Sequence, residues 1–196
     1  MKNTFLKSAQ DTTFVFIDVE TTGLSAKNGD CVCEIGALKT HQGKTLCEFQ
    51  TLINPQMPMP YGAYAVHQIS DKELKSAPLF GDIACDLLSF LDDCVICAYN
   101  AKFDLGFLNK ELVRIGKKPL ANPAIDVLLM ARDLVTSDKY NLETVANNLN
   151  IFSPEGYHRA IYDCRVTAKI FYKLIKEMSD PSAGALIEKY SKSMIK

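Results

Sequence analysis

The stretch that most restricts the fold is Phe14-Val15-Phe16-Ile17-Asp18-Val19-Glu20-Thr21-Thr22-Gly23-Leu24. Four β-prone apolar residues that run into a Gly-containing break read as a buried strand. Side chains alternate along a strand, so Asp18 and Glu20 share one face and their carboxylates project together. Two like charges at the end of a buried strand repel each other and lose hydration. A hard divalent cation with oxygen ligands offsets both costs. The competing reading is a strand end whose acids reach water, with Glu20 capping a helix.

The chain of 196 residues is long enough for one domain with a sizeable core. A hydrophobic content of 47% with 23% charged residues is that of a soluble globular protein. The formal net charge of −1 excludes a global basic field, so any nucleic-acid binding has to be local. The cysteine count of seven is odd, and neither a secretory segment nor a membrane-length apolar run is present. Reduced thiols, a cytoplasmic location and no membrane partner are expected. Cys31/Cys33 and Cys94/Cys97 fall in strand-like runs, and Cys94 and Cys97 would face opposite sides of a strand. Buried inert thiols are expected there rather than zinc ligands.

Residues 1–12 read as a loose polar arm. Runs 31–40 and 44–54 meet at His41-Gln42-Gly43 as a hairpin, so the first three strands form an antiparallel meander. Three prolines across 55–61 impose an extended or turn conformation. A short helix over 63–68 follows, then a capping box at Ser70 and Glu73. An amphipathic helix over 79–91 leads to a buried strand over 94–99. A helix over 103–115 ends at Gly116. A short strand over 124–128 runs into a helix, another helix covers 141–149, and 151–158 is a loop with Pro154 and Gly156. The last long helix spans 159–178, stops at Asp180-Pro181, and precedes a tail helix over 183–195. Strands first as a meander and then alternating with helices predict an α/β fold. Its centre would be a mixed five-stranded sheet, the later strands parallel, flanked by helices. The chain divides into the arm 1–12, a domain over 13–178 and a tail over 179–196.

Asp163 is the only charged residue on the apolar half of the last long helix, among Ala160, Ile161, Cys164, Thr167, Ile170 and Phe171. A carboxylate there needs a partner, either a buried cation of the protein or a metal, and the acids at 18 and 20 favour the metal. His158, five residues earlier, reads alone as a helix-entry residue. Beside a metal-bound acid, an imidazole suits a general base. Asp104 opens the helix after the fourth strand, where it serves either as a cap favoured by the helix dipole or as part of a site at the strand ends.

These residues, Asp18-x-Glu20 with Thr-Thr-Gly-Leu, Asn100-Ala-x-Phe103-Asp104 and His158-Arg-Ala-x-x-Asp163, resemble the three motifs of the DEDDh (DnaQ-like) 3′–5′ exonucleases. This group includes the proofreading exonuclease of bacterial replicative polymerases and several RNA-trimming enzymes. The resemblance runs from about residue 13 to 178 and extends to Glu34-Ile-Gly36, Val66-His67-x-Ile69, Ile125-Asp126 and Tyr140-x-Leu142. It implies a ribonuclease H-like fold and hydrolysis with two divalent ions, Mg²⁺ or Mn²⁺. Asp18, Glu20 and Asp163 would hold the ion that activates water, Asp18 and Asp104 the second, and His158 would take the proton. The terminal nucleotide would lie against Thr21, Thr22, Gly23, Leu24, His67, Tyr99, Asn100 and Phe103, with Leu24 and Phe103 offering faces that tolerate any base. Expected partners are 3′ ends of single-stranded nucleic acid and a DNA polymerase.

Two positions depart from the pattern: Tyr99 stands where many relatives have His, and Gln68 where Gly is usual. Lys110, Arg114, Lys117 and Lys118 share a helix face and read first as solvated charges at a helix C-terminus. The motif-one sequence leans towards DNA. RNA 3′-end trimming and a non-catalytic, polymerase-associated module of the same fold are the alternatives. Oligomeric state is not written in the sequence.

Overall fold

The computed structural model describes residues 7–153, 158–179 and 181–191. Pro154, Gly156 and Asp180, and the outer parts of the expected arm and tail helix, lie outside them. Three strands come first: β1 (Thr13–Thr21), β2 (Val32–His41) and β3 (Lys44–Leu52). Then follow α1 (Tyr61–His67), α2 (Asp71–Leu74), α3 (Phe80–Leu91), β4 (Val95–Ala98) and α4 (Ala101–Arg114). The chain continues with β5 (Ala124–Asp126), α5 (Val127–Leu134), α6 (Leu142–Asn148), α7 (Ala160–Glu177) and α8 (Ala183–Tyr190). The sheet order is β3-β2-β1-β4-β5. Strands β1 to β3 pair antiparallel, while β4 and β5 run parallel to β1. This is the expected mixed α/β sheet.

Period-two alternation in β1 sends its two sets of side chains into two cores. Phe14 and Phe16 pack with Phe171, Ile170 and Leu174 of α7 on one face. The ring of Phe171 meets Phe14 edge-on at 4.8 Å and Phe16 at 5.4 Å between centroids. Val15, Ile17 and Val19 pack on the other face with Phe80, Leu87 and Leu91 of α3 and Leu108 and Leu112 of α4. Burying such side chains stabilises the fold by about 1.5–3 kcal/mol each. Asp18 and Glu20 continue the α7-facing set of β1, so the helix that covers the phenylalanines also delivers Asp163 to them.

The parallel pairing of β1 with β4 ends at Phe16 and Cys97, whereas β1 runs on to Thr21 paired only with β2. A cleft therefore opens at the C-terminal ends of β1 and β4, the usual place for sites in open α/β sheets.

Three local details differ from expectation. The part of the arm that is described, 7–12, is fixed rather than loose. Ser8 bridges Ser182, Ala9 N–H donates to Pro181 O at 2.9 Å, Ala183 N–H donates to Lys7 O at 3.0 Å, and Ala9 is fully buried. Strand β5 stops at Asp126 rather than 128, because the Asp126 side chain accepts from Leu128 N–H at 3.0 Å and turns the chain into α5. Helix α4 begins at Ala101, two residues before the apolar periodicity shows it, after Asn100 in a left-handed conformation (φ 74°). All seven cysteines are free thiols. Burial raises the pKa of Cys33, Cys94 and Cys97, which favours inert thiols over zinc-binding thiolates, while Cys31 is half-buried.

Candidate active site

Asp18, Glu20 and Asp163 meet at the open end of β1. One carboxylate oxygen from each lies within 4.8 Å of the others. Asp104 reaches the same place from the start of α4, where its Oδ1 accepts the N–H of Val19 at 3.1 Å. That N–H lies beyond the last β4 pairing, so Asp104 replaces a missing strand partner as well as adding charge. His158 precedes α7 with φ 64°, and its N–H donates to Asp163 Oδ2 at 3.2 Å. The other oxygen, Asp163 Oδ1, is buried and has no hydrogen-bond partner. His158 and Asp163, with Asn141, Leu142 and Glu143 at the start of α6, line a cavity of about 230 Å³.

The four acids cannot all be ionised comfortably. Burial, then the charges of Asp104, Asp163, Glu20 and Glu34, holds the pKa of Asp18 well above the carboxylate range. Glu20 is pushed up to about 8 by burial and by Asp163, Glu34 and Asp104, against a smaller opposing effect of Arg159. Burial raises Asp104 to about 8 against the Val19 hydrogen bond, and raises Asp163 to about 6 against the His158 hydrogen bond. Clustered hard oxygens, desolvated negative charge and an orphaned Asp163 Oδ1 together fit a bound divalent cation. A cation there would restore the charged forms.

The expected nucleotide-contacting residues divide into two groups. Leu24 is 89% exposed, and Phe103 is half-buried with its ring on Phe107 at 4.9 Å. The polar members are engaged within the protein. The Thr21 hydroxyl donates to Gly23 O at 2.6 Å, and the Thr22 hydroxyl accepts Cys31 N–H at 3.0 Å. The His67 ring is buried, with Nδ1 accepting Ile69 N–H at 3.0 Å and Nε2 3.9 Å from Cys33 Sγ. Burial lowers its pKa, and a hydrogen bond to the Thr21 backbone opposes that shift. Tyr99 donates its hydroxyl to Tyr140 O at 2.9 Å. At Gly23 a Cβ would come within 2.5 Å of the Asp30 carboxylate, which accepts Ser25 N–H at 2.8 Å and organises the turn after motif one. Gly23 thus makes room for Asp30. Among the basic residues, Arg114 pairs with Glu111 at 2.7 Å, in keeping with a solvated, paired helix face.

Two buried acids outside the motifs support the site. Asp126 caps α5 and also accepts backbone hydrogen bonds from Asn100 and Ala101, where α4 begins. Glu34, fully buried, pairs with Arg159 at the entry to α7. The sequence signal for Glu34 was an acid within the apolar run 32–38, but its partner lies 125 residues away.

Comparison with known proteins points to one family. A family model described as Exonuclease (RNase_T) matches residues 15–171. The chain is 36% identical over 166 residues to the DNA polymerase III subunit epsilon of Rickettsia felis, covering 82% of this chain and 72% of that one. It is 36% identical over 185 residues to the PolC-type DNA polymerase III of Clostridium perfringens, spanning 92% of this chain and 13% of that polymerase. Among solved structures it resembles exonuclease X in complex with 5′ overhanging duplex DNA, with a TM-score of 0.72, 22% identity and coverage of 92% and 99%. It also resembles E. coli exonuclease I in complex with a dA16 oligonucleotide, with a TM-score of 0.74, 20% identity and coverage of 91% and 42%. At those identities the structural likeness speaks for the fold. The fold, the converging carboxylates and a family match across most of the sequence lead to one assignment: this chain belongs to the RNase_T exonuclease family, the DnaQ-like 3′–5′ exonucleases.

Proposed function

We propose that this chain hydrolyses the terminal phosphodiester at the 3′ end of single-stranded DNA, releasing nucleoside 5′-monophosphates. The observation that carries this reading is the convergence of Asp18, Glu20 and Asp163 with His158 hydrogen-bonded to the last of them. Asp18, Glu20 and Asp163 would hold one divalent ion, Mg²⁺ or Mn²⁺, and Asp18 with Asp104 a second. When bound, such ions supply Lewis acidity towards the phosphate and make a water more acidic. The anchored backbone of His158 keeps its exposed imidazole beside the carboxylates, where the ring takes the proton of the attacking water. Leu24 and Phe103 offer apolar faces to the terminal base without reading its edge. Asn100, Thr21, Thr22, His67 and Tyr99 shape the walls behind them through the internal hydrogen bonds described above.

DNA as substrate is supported by the names of the relatives, which are DNA polymerase III chains. The same names support a DNA polymerase as partner. Among the described residues no helix is long and apolar enough to cross a membrane. The test is digestion of matched DNA and RNA single strands, labelled at either end, with Mg²⁺, Mn²⁺ or chelator. Stepwise loss from the 3′ end, faster on DNA and abolished by chelator, is expected. Chelator-resistant cleavage, or a preference for RNA, would sink the mechanism or the substrate assignment respectively.

A further inference from the structure

Glu34 sits on β2 directly opposite Glu20 in the antiparallel register and is fully buried. A fifth acid beside an overloaded four-carboxylate cluster is a liability, and its hydrogen bonds show what it does. Glu34 Oε1 accepts from Arg159 Nη2 at 2.8 Å and from Gln50 Nε2 at 3.0 Å. Its Oε2 accepts from Arg159 Nε at 3.1 Å and from the Ala160 N–H at 3.0 Å. Ala160 opens α7, and Arg159, the residue at the cap position, makes no side-chain cap bond of its own. Glu34 therefore satisfies from another strand a helix donor that α7 leaves orphaned, and holds the guanidinium fork in one orientation.

Residues on either side of that grip are the functional ones. His158 adopts a left-handed conformation and is tied by its N–H to Asp163 Oδ2, so residues 158–163 form a closed turn clamped at its middle. Two residues along β2 from Glu34, on the same face, Gly36 lets the α7 backbone settle: a Cβ there would lie 2.4 Å from the Ala160 carbonyl carbon. Cys164 Sγ–H donates to Gly36 O at 3.2 Å just beyond. Removing the half-exposed Arg159 would leave the buried Glu34 charge uncompensated.

We propose that Glu34 is a positioning residue for the reaction. Through Arg159 and the Ala160 N–H it sets His158 and Asp163 against Asp18, and it touches neither substrate nor ion. This rests on the exonuclease reading above and adds a residue outside the three motifs to it.

The test uses the full chain carrying Glu34→Gln or Arg159→Lys, with Asp163→Asn in parallel. Three quantities are read on folded protein: kcat and KM on a 3′-labelled oligonucleotide, and Mn²⁺ affinity by calorimetry. Glu34→Gln should lower kcat and weaken Mn²⁺ binding, each by about 10- to 100-fold, with KM changed little. Arg159→Lys, which keeps the charge and loses the fork, should fall between it and the parent. A merely structural role would lower Tm alone. Parental kcat and Mn²⁺ affinity in folded Glu34→Gln would overturn the proposal, as would a rise in KM that accounts for the whole loss, since that would make the pair a substrate contact. If Glu34→Gln does not fold, Arg159→Lys decides by the same readouts. An inactive Asp163→Asn beside a fully active Glu34→Gln removes the positioning role only. An active Asp163→Asn removes the site reading itself.

Discussion

Gly36→Ala is the smallest change that should separate the parts of this enzyme. The added Cβ would lie 2.4 Å from the Ala160 carbonyl carbon, 2.5 Å from Ile161 N and 2.8 Å from Ala160 O. All three are backbone atoms, so no side chain can swing aside, and contact at about 3.4 Å requires β2 and α7 to part by about 1 Å. Overpacking of this kind costs about 1–3 kcal/mol, which a well-packed domain survives. The displaced residues stand between His158 and Asp163, and a 1 Å misplacement of reacting groups costs about 100-fold in rate. Gly36→Ala should therefore stay folded, lose Tm modestly and lose kcat by about two orders of magnitude, with a weaker Mn²⁺ response. Gly106→Ala is the control, because a Cβ there meets nothing within 4 Å in an exposed helix interior; it should stabilise by about 1 kcal/mol with parental kcat. The assay is turnover of a 3′-labelled oligonucleotide alongside a thermal melt. Folded Gly36→Ala with parental kcat would refute the link between the β2–α7 approach and the site.

Asp163→Asn should abolish turnover, and in metal-free protein it should melt no lower than the parent, because it removes charge from an unrelieved cluster; a large drop in Tm would show Asp163 to be held by protein partners instead. His158→Ala should cost about 10²- to 10⁴-fold in kcat while leaving Mn²⁺ affinity near parental, and an equal fall in both would remove the general-base role. The metal-free protein should also lose stability as pH rises. Burial and mutual repulsion hold Glu20 and Asp104 at about 8 and Asp163 at about 6, above the ordinary 4.5 of Glu and 3.8 of Asp, so the folded state holds protons that the unfolded chain has released. Their contribution is fully present below about pH 4 and is lost as pH climbs through about 6 to about 8. Melts in chelator from pH 5 upwards should fall across that window, and saturating Mn²⁺ should flatten the slope; a flat or rising Tm in chelator would show that the acids are not strained.

Features written in local chemistry were the legible ones. The meander announces itself through the hairpin at Gln42-Gly43, and Asp163 through being an acid on a face otherwise filled by Ile161, Cys164 and Ile170. Gln68, the departure from the usual Gly, turns out to end α1 at φ 60°, a conformation glycine adopts without strain. What could not be read were pairings between distant segments. Glu34 stands in the sequence only as part of the Glu34-Ile-Gly36 feature, with no sign that Arg159 lies on it, and residues 7–12 look like a free arm until Ser8 meets Ser182. Nor does spacing reveal that Thr21, Thr22 and His67, polar residues beside the acids, spend their hydrogen bonds inside the protein.

The carboxylate cluster draws on both ends of the folded domain, and this orders events during synthesis. Asp18 and Glu20 leave the ribosome with β1, but Asp163 emerges only after β2 to α6 have been made. Helix α7, which carries it, must still find β1 and β2 and bury Phe14, Phe16 and Phe171 together before the acids meet. An incomplete chain therefore holds scattered acids and an unfinished core, with no place where three carboxylates converge. On the proposed site reading, hydrolytic competence arrives with completion of the fold, and a chain lacking α7 is expected to leave the nucleic acid around it intact.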